Sequence, residues 1–127
     1  MLAGPASWAA GLPARLAVGT GRYGRGMATF AVTLVHGPGW DATRPIRRQH
    51  GWDEHAAFMD GLVEDGFLIL GGPLGPGHQT LHLVQAADEQ EVTARFGGDP
   101  WASAGLLLIG GIERWALWLD SRPAVRS

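Results

Sequence analysis

One stretch, His55–Pro73 with the sequence HAAFMDGLVEDGFLILGGP, changes its hydrophobic period within a few residues, and that change constrains the fold more than any bulk property. Trp52, Ala56, Met59 and Val63 recur at helical spacing, and Phe58 and Leu62 widen the stripe. Glu54, Asp60, Glu64 and Asp65 take much of the other side, and Gly66 stops the helix. Phe67–Leu70 is then apolar at every position, as in a strand buried on both faces, and Gly71-Gly72-Pro73 reads as the turn that ends it. A helix that passes almost directly into a buried strand must pack against the sheet containing that strand.

The rest of the chain supplies the sheet. Thr29–Val35 is β-branched and apolar and predicts a first strand, followed by a turn-rich loop, His36–Trp40. Residues 41–48 are polar, and the helix begins between Pro45 and Asp53. Thr80–Gln85 predicts a strand with Leu81 and Leu83 on one face and His82 and Val84 on the other. Asp88-Glu89-Gln90-Glu91 resembles a capping box and opens a short helix carrying Val92 and Phe96. Asp99-Pro100 opens a single further turn. Leu106–Ile109 and Ile112–Trp118 predict the last strand, bulged at Gly110-Gly111. The order strand, helix, strand, strand, helix, strand predicts an α+β, ferredoxin-like βαββαβ protomer with two helices on one face of an antiparallel sheet. Strands that are apolar on both sides need a second cover, which predicts a homodimer with the sheets face to face.

Composition narrows the class. The 127 residues suit one domain, with 46% hydrophobic and 17% charged residues. There is no cysteine, which removes disulfides, thiolate metal sites and thiol catalysis and fits a reducing, cytoplasmic setting. A net charge of −2 leaves no electrostatic footprint for nucleic acid, and no apolar run approaches the ~20 residues that span a bilayer. All ten basic residues are arginine, and lysine and asparagine are absent, a coding bias that points to a high-GC, bacterial genome. Residues 1–26 hold Arg15, Arg22 and Arg25 and no acid. Pro5, Gly11 and Pro13 interrupt any signal-peptide core, and the bacterial coding bias argues against a transit peptide. The expectation is an extension that is disordered or lies upstream of a start at Met27, then a domain over residues 27–120 and a tail over 121–127.

Several side chains can carry chemistry. His55 lies on the apolar side of the helix, where a histidine is most often a hydrogen-bonded core residue; a partly buried imidazole is also the commonest general acid or base. Asp99 caps the turn that Pro100 opens, which needs one carboxylate oxygen and leaves the other to orient a histidine or hold a water. Gly72 and Pro73 are either a tight strand exit or a place where a ligand approaches the backbone. A phosphate cradle is disfavoured, because Pro73 and Pro76 remove amide donors and no Gly-Lys-Ser/Thr follows. Metal ligation scores poorly as well. His50 and His55 sit about 140° apart around a helix, and His78 and His82 lie more than about 10 Å apart if extended. Arg44, Arg47 and Arg48 form either a solvated loop face or a contact for an anionic substrate. Ser103 lacks a nucleophile elbow. Trp101 can wall a pocket, whereas Trp115 and Trp118 are more simply strand packing or dimer contacts.

The segments His55–Gly66, Leu70-Gly-Gly-Pro-Leu74, Asp99-Pro-Trp101 with Gly105, and Ile112-Glu-Arg-Trp115, in that order, resemble the YCII-related (YciI-like) family over Met27–Leu119. The resemblance implies a dimeric α+β barrel and a histidine–aspartate site carried by His55 and Asp99. The residue types offer Gly72, Pro73, Trp101 and Arg48 as candidate substrate contacts, and the expectation includes neither cofactor nor metal. The resemblance further implies acid–base chemistry, proton abstraction or elimination, on a small organic molecule. The alternative is a non-catalytic ligand-binding or regulatory dimer that uses the same cleft. One departure stands out: Gly51 interrupts the start of the helix, where such helices are usually unbroken.

Overall fold

The structure is a computed structural model and describes residues 26–123. The N-terminal extension expected over residues 1–26 and the end of the expected tail therefore lie outside the described residues, apart from Gly26. The elements run β1 (Ala28–His36), a 3-10 turn (Ile46–Arg48), α1 (Trp52–Glu64), β2 (Leu68–Leu74), β3 (Gln79–Ala86), α2 (Glu89–Gly97), α3 (Pro100–Ser103) and β4 (Leu107–Arg114). The described residues are α+β, with one antiparallel four-stranded sheet in the order β2-β3-β1-β4 and three helices, an arrangement compatible with a ferredoxin-like fold. Among the described residues no helix is long and apolar enough to cross a membrane.

The core follows from strand alternation. Phe30, Val32 and Leu34 of β1 are buried and stand opposite Val84, His82 and Thr80 of β3, and residues directly opposite share a face. The helices close over that face: Met59 and Leu62 from α1, Phe96 from α2 and Trp101 from α3 all join one cluster with the β1 side chains. Burying such a side chain contributes about 1.5–3 kcal/mol each. The opposite face presents Val35, Leu81, Leu70, Leu74 and Leu108, and the last three are 53%, 40% and 43% exposed.

The local signals act at their places. Gly51 takes φ +78° as the cap before α1, so the glycine sits outside the helix rather than weakening it. Asp53 and Glu54 in the first turn complement the helix dipole, and Gly66 (φ +88°) ends the element. Asp88 accepts the Glu91 amide at 2.9 Å, while the Glu91 carboxylate reaches back to the Ala87 amide at 2.8 Å, one residue further than an ordinary capping box. Gly110 is the extra residue of a bulge in β4, since the register passes from Thr33↔Gly111 to Leu34↔Ile109. A Cβ there would stand 2.8 Å from Val35 Cγ1.

Two expected boundaries need correction. Gly71-Gly72-Pro73 is not a turn. It continues β2, paired through Gly71↔His82, Gly72↔Leu81 and Pro73↔Thr80, and the chain reverses only at residues 75–78. The proline is tolerated because β2 is an edge strand with ladder donors needed on one side only. The final strand stops at Arg114 rather than Trp118. Trp115 still donates its amide to the Thr29 carbonyl at 2.9 Å, but β1 begins at Ala28 and offers nothing beyond to pair with. Trp118 is consequently 89% exposed.

Candidate functional site

The site begins with a helix cap. Asp99 precedes α3, and its Oδ1 accepts the Trp101 amide at 2.9 Å. The second carboxylate oxygen, Oδ2, lies 2.8 Å from Nδ1 of His55 on α1. Both side chains are buried, His55 at 3% and Asp99 at 3% exposure. An ionised carboxylate can only accept, so the tautomer that suits this contact carries its proton on Nδ1 and presents the Nε2 lone pair.

Trp101 locks the imidazole plane. Its ring stacks on that of His55 at 3.9 Å with an interplanar angle of 6°. The indole Nε1 donates to the His50 carbonyl at 2.7 Å, which ties α3 to the start of α1. Gly51 makes this approach possible, since a Cβ there would meet Trp101 Nε1 at 3.3 Å. Trp40 meets Trp101 edge-on at 5.8 Å and stacks on His36 at 3.8 Å. A continuous aromatic path thus runs from the loop after β1 to the histidine–aspartate pair.

His55 lines a cavity of about 830 Å³. It opens where β1 and β2 end and β3 and β4 begin, beneath α1 and beside the loop after β1. Leu34, Met59, Val63 and Leu68 supply apolar wall, while Asp60, Glu64 and Arg44 bring charge. Of the five histidines, His36, His55, His78 and His82 line it. Among the described residues, no three His, Asp or Glu side chains group as metal ligands. Partial burial lowers the His36 pKa from its ordinary value, and the charge of His78 adds to this. His82 is far more perturbed. Burial brings its pKa down from 6.5 to about 4; a backbone contact with Val32 opposes this, and the charge of His55 adds to it.

The sequence candidates fall into two groups. His55, Gly72 and Pro73 lie on the cavity wall. Asp99 is not part of the cavity lining: one oxygen caps α3 and the other contacts His55, so the carboxylate can orient the imidazole. Trp101, 1% exposed, is not part of the lining either and stacks on the imidazole. Arg48 also stands off the cavity, while Arg44 lines it and pairs with Asp41 at 3.4 Å. Within the fold the steric constraint falls on Gly71, and Gly72 has open space beside it. A Cβ on Gly71 would stand 2.5 Å from His82 Cδ2, whereas one on Gly72 would meet nothing within 4 Å.

Two contributors were not legible beforehand. Gln49, 4% exposed, donates to the Asp41 and Arg44 carbonyls at 2.7 and 2.9 Å and accepts the Asp41 amide at 3.0 Å. It thereby staples the loop that forms the cavity rim, and no local pattern marks it. His82 did carry a signal, a histidine among apolar residues on the same strand face as Val84, yet spacing spoke only against its sharing a metal with His78. Searches of protein-family models, curated proteins and solved structures find nothing that matches this chain.

Proposed function

We propose that the cavity performs acid–base chemistry on a small organic molecule, with His55 as the general base. The supporting observation is the His55 Nδ1–Asp99 Oδ2 contact of 2.8 Å on the wall of a cavity of about 830 Å³. A C–H proton passes to Nε2 of His55, and the electron pair of that bond moves onto an adjacent carbonyl oxygen or expels a leaving group from the neighbouring carbon. The resulting imidazolium is stabilised by the Asp99 carboxylate. Trp101 and the cap geometry hold the ring in one orientation, so little ordering remains for the moment of transfer.

The reading extends to the assembly and the family. We infer ferredoxin-like protomers of the YCII-related type, paired as a dimeric α+β barrel through the sheet face that carries Leu70, Leu74 and Leu108. The strand order β2-β3-β1-β4 and the exposure of those leucines support it.

Solvent exchange tests the chemistry without knowledge of the natural substrate. Cyclohexanone in D2O, followed by NMR, reports α-proton wash-out. The protein is expected to accelerate wash-out, and His55→Asn is expected to remove about 10²–10⁴-fold of that rate. Asp99→Asn keeps a capping side chain but loses control of the imidazole tautomer, which is expected to cost roughly 10- to 10⁴-fold. Wild-type exchange at the buffer rate, with the ketone bound in the cavity, would assign the protein to non-catalytic ligand binding instead.

A further inference from the structure

Two side chains on the cavity wall have polar atoms that nothing satisfies. Thr80 Oγ1 and His82 Nδ1 are both buried and both without a hydrogen-bond partner. They lie two residues apart on β3 and on the same, helix-facing side, so their backbone origins are separated by about 6.6–6.8 Å. Both residues line the cavity.

The side chains that face them across the sheet satisfy neither atom: the Val32 backbone hydrogen-bonds His82, yet Nδ1 is left without a partner. On the β1 side Thr80 stands opposite Leu34 and His82 opposite Val32, both apolar. On the β2 side their partners are Pro73 and Gly71. The proline brings no amide hydrogen, and the glycine brings no side chain. Gly71 must in fact be bare, because any Cβ would collide with the imidazole. Four neighbours without a polar side-chain group surround two polar groups on a cavity wall. A buried polar atom is costly unless it is paired, and such an atom at a cavity points to a partner that enters from the cavity side. Rotation about χ1 of threonine, or of the imidazole ring, is the movement that would turn these atoms to the cavity.

We propose that Thr80 and His82 form a polar subsite that hydrogen-bonds two uncharged groups, hydroxyl or carbonyl, on non-adjacent carbons of a small and otherwise apolar molecule. Uncharged groups fit because threonine carries no charge and burial keeps His82 neutral at physiological pH. Arg44, the arginine on the wall, is already paired with Asp41. Non-adjacent groups fit because the two anchors are one full strand repeat apart. The body between them meets Leu34, Met59 and Leu68. This assignment rests on the reading that the cavity takes a small organic molecule, but it does not need that molecule to be turned over.

Chemical-shift titration of the full chain with three probes tests it: trans-cyclohexane-1,4-diol, trans-cyclohexane-1,2-diol and cyclohexanol. The 1,4-diol is expected to bind about tenfold more tightly than cyclohexanol, and the 1,2-diol no more tightly than cyclohexanol. Thr80→Val and His82→Phe are each expected to bring the 1,4-diol down to the cyclohexanol value. The comparison of probes on the wild type needs no variant, so poor folding of either substitution leaves the test intact. Equal affinity for all three probes overturns the subsite, and so does failure of all three to perturb cavity resonances, or a 1,4-diol preference that survives both substitutions. Loss of the exchange activity with the diol preference retained would sink proton abstraction alone and leave the subsite standing.

Discussion

Acid titration of stability gives the sharpest check on the buried histidine of β3. In the unfolded chain His82 titrates near 6.5, whereas burial in the fold holds it at about 4. Between those values the unfolded state binds a proton that the folded state refuses. The contribution is fully present above pH 6.5 and is lost as pH falls towards 4, where the folded state begins to take the proton too. Each tenfold difference in proton affinity is worth about 1.4 kcal/mol, so the whole loss comes to about 3 kcal/mol. That is a large share of the 5–15 kcal/mol that typically holds a domain together. Urea unfolding at steps from pH 7 to pH 4, on the wild type and on His82→Phe and His82→Leu, measures it directly. Every other titrating group contributes nearly equally to wild type and variant, so the difference isolates position 82. The wild type is expected to lose about 3 kcal/mol relative to either variant across that window. Parallel curves would mean that His82 is not held neutral, and the burial argument would fail with them.

Two further outcomes follow from geometry. Gly71→Ala forces a Cβ to within 2.5 Å of His82 and 3.0 Å of the Leu81 carbonyl and should cost about 1–3 kcal/mol in urea unfolding, while Gly72→Ala, with open space, should stay within about 0.5 kcal/mol. A Gly72 substitution as costly as the one at Gly71 would contradict the assigned register. Sedimentation velocity at micromolar concentration should show a dimer that Leu70→Glu with Leu108→Glu converts to a monomer, because two buried unpaired charges would face the partner sheet; a wild-type monomer would sink the sheet-to-sheet pairing.

Much of the site was legible along the chain, in unequal parts. The helical stripe that carries His55 and the Asp99-Pro100 cap rest on interactions within a few residues, so local spacing speaks for them. The Gly71-Gly72-Pro73 segment misled for a complementary reason. Glycine and proline mark turns when the local chain decides, yet here pairing with β3 keeps the segment extended and the proline costs little on an edge strand.

What the chain determined by itself was its periodic skeleton: which residues face a core, where the two short helices are capped, and that a histidine and a capping aspartate stand ready. What only the tertiary structure decided was their mutual use. His55 and Asp99 are 44 positions apart, and whether Asp99 touches the imidazole or a solvent molecule depends on how α3 docks beside α1. Trp101 settles that docking through a stack and a hydrogen bond to a distant carbonyl. The same holds for Thr80 Oγ1 and His82 Nδ1, which stay unpartnered among the Leu34, Val32, Pro73 and Gly71 that register places around them. Local sequence carries propensity and period, but the partner of a buried polar atom is set by which strands meet and in what register.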